Sequence, residues 1–258
     1  MKRTALYLCL LAMIAVSCNR GDGDPGPQPQ LDSGKVEMRF ANKVGSQPLK
    51  FQDDWYRNAH GDSFNVTLFA YYISNIQFNR ADGSGAYVQP NSYYLIDGYT
   101  RPSTLNFEID SVPNGTYNSV TLTLGVDSSR NVSGAQTGAL DLIWGYFWGW
   151  NSGYIFTKFE GKTSKNPALA KDLMYHIGGF RSPYNAIRTV TLPLPNPIQI
   201  VRGKKATLDV EADLLKLFDA PHQMNFTQLL KIHDPGPEAM MVADNYTRML
   251  QIKAAVVK

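Results

Sequence analysis

The stretch "STLNFEIDSVPNGTYNSVTLTLGV", residues 103–126, decides the fold class. Val120, Leu122 and Leu124 alternate with Thr121 and Thr123, the period of a strand with one buried face. Before it, an equally β-branched run ends at Pro113-Asn114-Gly115, a turn signal, so the stretch reads as two strands joined by a turn. The same pattern recurs outward in both directions. "KVEMRF" puts Val36, Met38 and Phe40 on one face and Lys35, Glu37 and Arg39 on the other. "NVTLFAYYISNIQF" (65–78) is long, aromatic and β-branched, and "KATLDVEAD" (205–213) alternates cleanly. Such strands, separated by turn signals and without a fixed repeat, predict a mainly β chain: an antiparallel, immunoglobulin-like β-sandwich.

Helix is expected only late. "DLLKLF" and "NFTQLLKIH" are short amphipathic candidates. "GPEAMMVADNYTRMLQI" (236–252) is stronger, with Pro237 at the first helical position, Glu238 in the first turn and apolar residues at helical spacing. One or two short helices near the C-terminus should therefore close the sandwich.

The N-terminus carries an address. "MKRTALYLCLLAMIAVSC" begins with Lys2 and Arg3, continues apolar from Ala5 to Val16, and ends Ser17-Cys18. The apolar run is short for a permanent span and reads as a secretory signal peptide over residues 1–17. Ala15-Val16-Ser17-Cys18 resembles a bacterial lipobox, which implies cleavage before Cys18 and acylation of its thiol. Residues 18–34 then form an acylated cysteine and a Gly/Pro/Asp-rich tether, and residues 35–258 the folded domain. Expected localisation follows: the bacterial cell envelope, lipid-anchored at the outer membrane or a periplasmic face, with the cell surface as a further setting.

Cys9 and Cys18 are the only cysteines. Neither belongs to the folded domain, so its stability must come from the core rather than from disulfides, and no cysteine-based metal site is available. Removal of Lys2 and Arg3 lowers the formal charge from +3 to +1. A near-neutral domain without a basic run gives no footprint for nucleic acid. There is no G-x-S-x-G, no H-E-x-x-H and no glycine-rich phosphate loop, and the carboxylates are scattered. A binding protein is expected, not an enzyme.

Two features carry candidate chemistry. The first is "LIWGYFWGWNSGYIF" (142–156), which follows a long Ser/Gly-rich segment starting at Gly125. On a strand, Trp148 and Trp150 would alternate onto one face. Three uses are open for these rings: filling the core, forming a Trp144/Trp148/Trp150 platform for a glycan or a protein, or serving a site. The second is the set of four histidines, His60, His176, His222 and His233. In "DLMYHIG", Leu173, Tyr175 and Ile177 face one way while Met174 and His176 face the other. An imidazole beside a thioether suits soft Cu(I). Met224 lies two residues after His222, and Met240 and Met241 follow His233. A single histidine beside a turn is otherwise an ordinary exposed hydrogen-bonding residue.

"GALDLIWGYFWGWNSGYIFTKFEG" (138–161), followed by "YHIGGF" (175–180), resembles the MbnP-like family of secreted copper-binding proteins, in its lipoprotein branch. The shared pattern is W-x-W with an amide residue, then Gly-Tyr-x-Phe, a charged strand end and a downstream His-x-Gly. "FNVTLFAYYISNIQF" and "HDPGPEAMMVADNYTRM" resemble further blocks of that family. The resemblance implies a β-rich domain that binds copper for uptake, storage or sensing. It implies His176, with His60 and His233, as metal ligands. It also implies Trp148 or Trp150 as a tryptophan oxidised to kynurenine by a dihaem peroxidase-like partner. An indole nitrogen only donates and cannot ligate until its ring is opened. The chain departs from the pattern at two places: Val132 follows Asn131 where an Asn-His pair is usual, and Tyr146 stands where a methionine often precedes the first tryptophan of the motif.

Overall fold

Alternating apolar side chains need a surface to cover them, and the chain supplies it by facing two sheets. This computed structural model describes residues 32–164, 166 and 168–258. The signal peptide, Cys18 and the tether as far as Leu31 lie outside the described residues. Residues Asp32–Lys258 form one unit, and no described helix is long and apolar enough to cross a membrane.

The smaller sheet is built around β1 (Ser33–Val44), which starts two residues before the expected domain boundary. Its inward residues Val36, Met38 and Phe40 are buried as the alternation requires. The chain then runs through β2 (Leu68–Arg80), β3 (Tyr93–Asp97), β4 (Asn106–Pro113) and β5 (Gly115–Leu124). After a long loop come β6 (Phe147–Gly149), β7 (Gly153–Lys162), β8 (Asp172–Gly178), β9 (Arg188–Ile200) and β10 (Lys205–Asp213). The final elements are α1 (Lys216–Asp219), β11 (Lys231–Ile232), α2 (Pro237–Tyr246) and β12 (Leu250–Val257).

The smaller sheet has β12, β10 and β1 side by side, with β4 against the other side of β1; the larger runs β9-β5-β2-β7-β8-β11, with β3 and β6 attached to β2 and β7. The quoted 103–126 stretch is thus two strands that part at the turn: β4 pairs with β1 and β5 with β2 and β9. Pro113-Asn114-Gly115 passes the chain from one sheet to the other. The sandwich is as expected, with one feature the alternation does not encode: β1 and β10 run parallel, from Lys35 opposite Lys205 to Lys43 opposite Asp213.

Two helix expectations are corrected. The helix of 236–252 ends at Tyr246, and Leu250–Val257 is a strand whose Leu250 and Ile252 are buried. That segment satisfies helical and alternating patterns equally, and pairing with β10 decides it. "NFTQLLKIH" forms a turn in which Asn225 Oδ1 accepts from the Thr227 amide, followed by β11. Of "DLLKLF" (213–218) only the second half is helical, in a short helix over Lys216–Asp219.

The inner faces of β7 and β8 are covered by a cluster of rings. Phe159 stands 4.9 Å from Phe218 and 5.9 Å from Tyr175, and Phe64 and Phe226 close the group. Each ring buried here contributes about 1.5–3 kcal/mol by leaving water. A rigid inner face fixes what the outer face presents.

Candidate metal centre

On β7 the residues between the buried rings point outward: Lys158 and Glu160 flank Phe159. The register sets Lys158 opposite His176 and Glu160 opposite Met174 on β8. Four outward side chains therefore share one patch. Glu160 Oε1 lies 2.8 Å from His176 Nε2.

β11 joins β8 as a parallel edge, with Met174 opposite Lys231 and Tyr175 opposite Ile232. Since Ile232 is buried, the next residue, His233, emerges on the outer face beside His176, and the ring centroids are 5.4 Å apart. His176 is buried whereas His233 is exposed. The pair thus has a closed side and an open side.

Trp148 completes the group. Its ring lies on Gly178, two residues beyond His176 on the same face, and 5.9 Å from the His233 ring. A Cβ at position 178 would come within 2.6 Å of Trp148 Cζ3 and 2.5 Å of the Tyr154 carbonyl oxygen. The glycine of the His-x-Gly pattern is the seat of the indole. Gly178→Ala is expected to push Trp148 off the histidine pair and to cost about 1–3 kcal/mol of stability, read as a lowered urea midpoint at unchanged m-value.

The long loop of residues 125–146 is pinned rather than loose. Buried Asn131 donates to the carbonyls of Val126 and Asp127, both at 2.9 Å, and accepts from the Tyr154 amide at 2.7 Å. Tyr72 and Tyr154 hydroxyls donate to the Ala139 and Leu140 carbonyls. These bonds fix where β6, and with it Trp148, meets β7. Val132, at the departure from the Asn-His pattern, is exposed. Tyr146, at the other departure, is buried edge-on to Tyr72, with Lys158 Nζ 4.8 Å over its ring.

The electrostatics of His176 disfavour its charged form. Burial lowers its pKa below the ordinary 6.5, the Glu160 hydrogen bond pulls upward, and Lys158 and His233 push down again. Two buried polar atoms in this patch have no hydrogen-bond partner, His176 Nδ1 and Trp148 Nε1. Buried groups of this kind normally find one.

The donor set can be matched to a metal. Among the described residues no three His, Cys, Asp or Glu side chains are grouped to hold an ion, which argues against a closed zinc site with its four ligands. A pair of imidazoles with metal–nitrogen bonds of about 2.0 Å places ring centroids about 5–6 Å apart, as found. That pair fits Cu(I), which accepts low coordination numbers and imidazole donors.

The other expected residues fall elsewhere. His60 stands apart from this patch: its Nδ1 lies 3.2 Å from Asp62, in a turn that holds the Phe226 amide. Phe226 belongs to the ring cluster on the inner faces of β7 and β8, so His60 is on the wrong side of the sheet. Burial tends to raise the Asp62 pKa, but hydrogen bonds from the Phe226 amide, Asn58 and His60 hold it below the usual range. His222 lies 3.4 Å from Asp244, and Met224 is buried in the core.

Trp150 also stands apart. Gly149 ends β6 and Trp150 lies in the turn that follows, so Trp150 is exposed and stands edge-on to Phe147 instead of joining Trp148. Trp144 is separate again, its ring 4.0 Å under the Arg101 guanidinium and its Nε1 donating to Gly138 O. The three tryptophans do not form one platform. Glu160, which no motif singled out, is the residue missed; the charged strand end in "TKFEG" was its only signal.

The MbnP family profile matches residues 33–241. This chain belongs to the MbnP family. A solved structure, MbnP from Methylosinus trichosporium, is similar over 81% of this chain and 88% of its own, at 13% identity and a TM-score of 0.50. At that identity the likeness establishes a shared fold. None of the curated proteins matches the chain. Membership in the MbnP family associates the chain with methanobactin-linked proteins, and the match spans every strand that builds the patch.

Proposed function

We propose that this MbnP family member is a copper-binding protein, taking Cu(I) between His176 and His233 beside Trp148. The observation that carries this reading is the convergence of both imidazoles and the indole, from three separate segments, on one face of the larger sheet. Its role is binding, for uptake, storage or sensing, and not catalysis. Bound copper would satisfy the orphaned imidazole nitrogen and be held between a buried imidazole on one side and an accessible one on the other.

Two refinements belong to the same proposal. Of the two candidate tryptophans, Trp148 is the one we assign to oxidation by a dihaem peroxidase-like partner, supported by its ring lying 5.9 Å from that of His233. Opening the pyrrole ring would convert Nε1 from a donor without a lone pair to spare into an aromatic amine beside the ion. The protein works on the bacterial envelope, held by lipid on Cys18. A surface glycan- or protein-binding role is the competing reading, and the separation of Trp144, Trp148 and Trp150 weakens it.

Tryptophan emission during a copper titration tests the reading. A saturable quench is expected that is lost in Trp148→Phe and kept in Trp150→Phe. A quench that follows Trp150, or emission that responds to an added glycan and not to copper, would contradict it.

A further inference from the structure

Cu(I) held by imidazoles has no need of a carboxylate, yet Glu160 is bonded to the buried histidine. The contact is set by the sheet itself: Glu160 and His176 are diagonal neighbours across the β7–β8 register. Oε1 and Nε2 are 2.8 Å apart. A carboxylate has only lone pairs to offer, so the hydrogen in this bond sits on Nε2. His176 Nδ1 is buried with no hydrogen-bond partner.

We propose that Glu160 is a positioning residue that holds His176 in its Nε2–H tautomer, so that the metal is taken at Nδ1. The second clause rests on the copper reading; the first concerns the metal-free protein and does not. The groups facing this ring are Glu160, Lys158 and His233, and of these only Glu160 favours a charged imidazole. The geometry leaves one ring nitrogen tied to Glu160 and the other without a hydrogen-bond partner. A carboxylate on the far nitrogen fixes the ring's rotation and raises the basicity of the ligating one. Without it, the ring would be free to turn either nitrogen toward the ion.

The test combines long-range proton–nitrogen correlation spectra of ¹⁵N-histidine-labelled full chain with anaerobic Cu(I) titration of wild type and Glu160→Gln. The His176 signals are assigned by their loss in His176→Gln. In the metal-free wild type, Nε2 should carry the proton and Nδ1 should resonate as an unprotonated nitrogen at neutral pH. Glu160→Gln, whose amide can donate as well as accept, should give a tautomer mixture and weaken Cu(I) binding by about 10–100-fold. On loading, the Nδ1 resonance should move more than Nε2.

An Nδ1–H tautomer or an imidazolium in the metal-free wild type overturns the proposal, and this reading needs no variant to fold. So does an unchanged tautomer in folded Glu160→Gln. A wild-type chain with the stated tautomer that binds no Cu(I) would sink the copper reading and the Nδ1 assignment, while bearing out the hold of Glu160 on the ring.

Discussion

His176→Ala is expected to weaken Cu(I) binding by about 100-fold or more. Changes to residues that merely support a ligand cost 10–100-fold, and this one removes half of the imidazole pair. His233→Ala should fall in the same range, since neither ring has a histidine substitute on this face. His60→Ala should leave affinity unchanged, because His60 pairs with Asp62 away from the His176–His233 pair. Chelator competition under anaerobic conditions measures all three. His176→Ala has little to lose in folding: the histidine is flanked by Tyr175 and Ile177, which hold β8 in the core. Equal affinity of His176→Ala and wild type would place the metal elsewhere.

Phe159→Ala has the opposite profile. Phe159 sits between Lys158 and Glu160 but faces inward, against Phe64, Tyr175, Phe218 and Phe226. Removing its ring should cost about 3–5 kcal/mol, a large share of the stability of a typical domain. The melting temperature should fall by roughly 6–20 °C. Below the transition the folded protein should still bind Cu(I) through the outward residues. Thermal unfolding with and without copper separates the two effects, because a ligand bound only by the folded form raises the melting temperature. Loss of binding in folded Phe159→Ala would show that the outer patch depends on the core more closely than one side chain's alternation implies.

These two variants lie on adjacent strands and opposite faces, which is also where the sequence was most and least readable. Alternation in "DLMYHIG" assigned His176 and Met174 to one face and Leu173, Tyr175 and Ile177 to the other, as found. Alternation is local, so it needs no knowledge of partners. The pairing of His176 with Glu160 depends on how β7 registers against β8, and that of His176 with His233 on a two-residue strand docking in parallel. Neither leaves a local trace. His60 looked equivalent to His233 for the same reason: each is a histidine beside a turn, and only the sheet order separates them. Trp148 and Trp150 are equivalent by spacing, and only the end of β6 at Gly149 puts the second in the following turn. The parallel β1–β10 pair was hidden likewise, since antiparallel neighbours announce themselves through short turns and parallel ones do not. The helix drawn to residue 252 failed because Leu250 and Ile252 fit both periods.

The most direct test of the account is an anaerobic Cu(I) competition titration on the chain from Asn19 onward, which leaves out the thiols of Cys9 and Cys18. One Cu(I) per chain, bound more tightly than the competing chelator in wild type and released to it in both His176→Ala and His233→Ala, is the predicted result. Failure of the wild-type chain to take Cu(I) from the chelator, or binding that survives both substitutions, would contradict it.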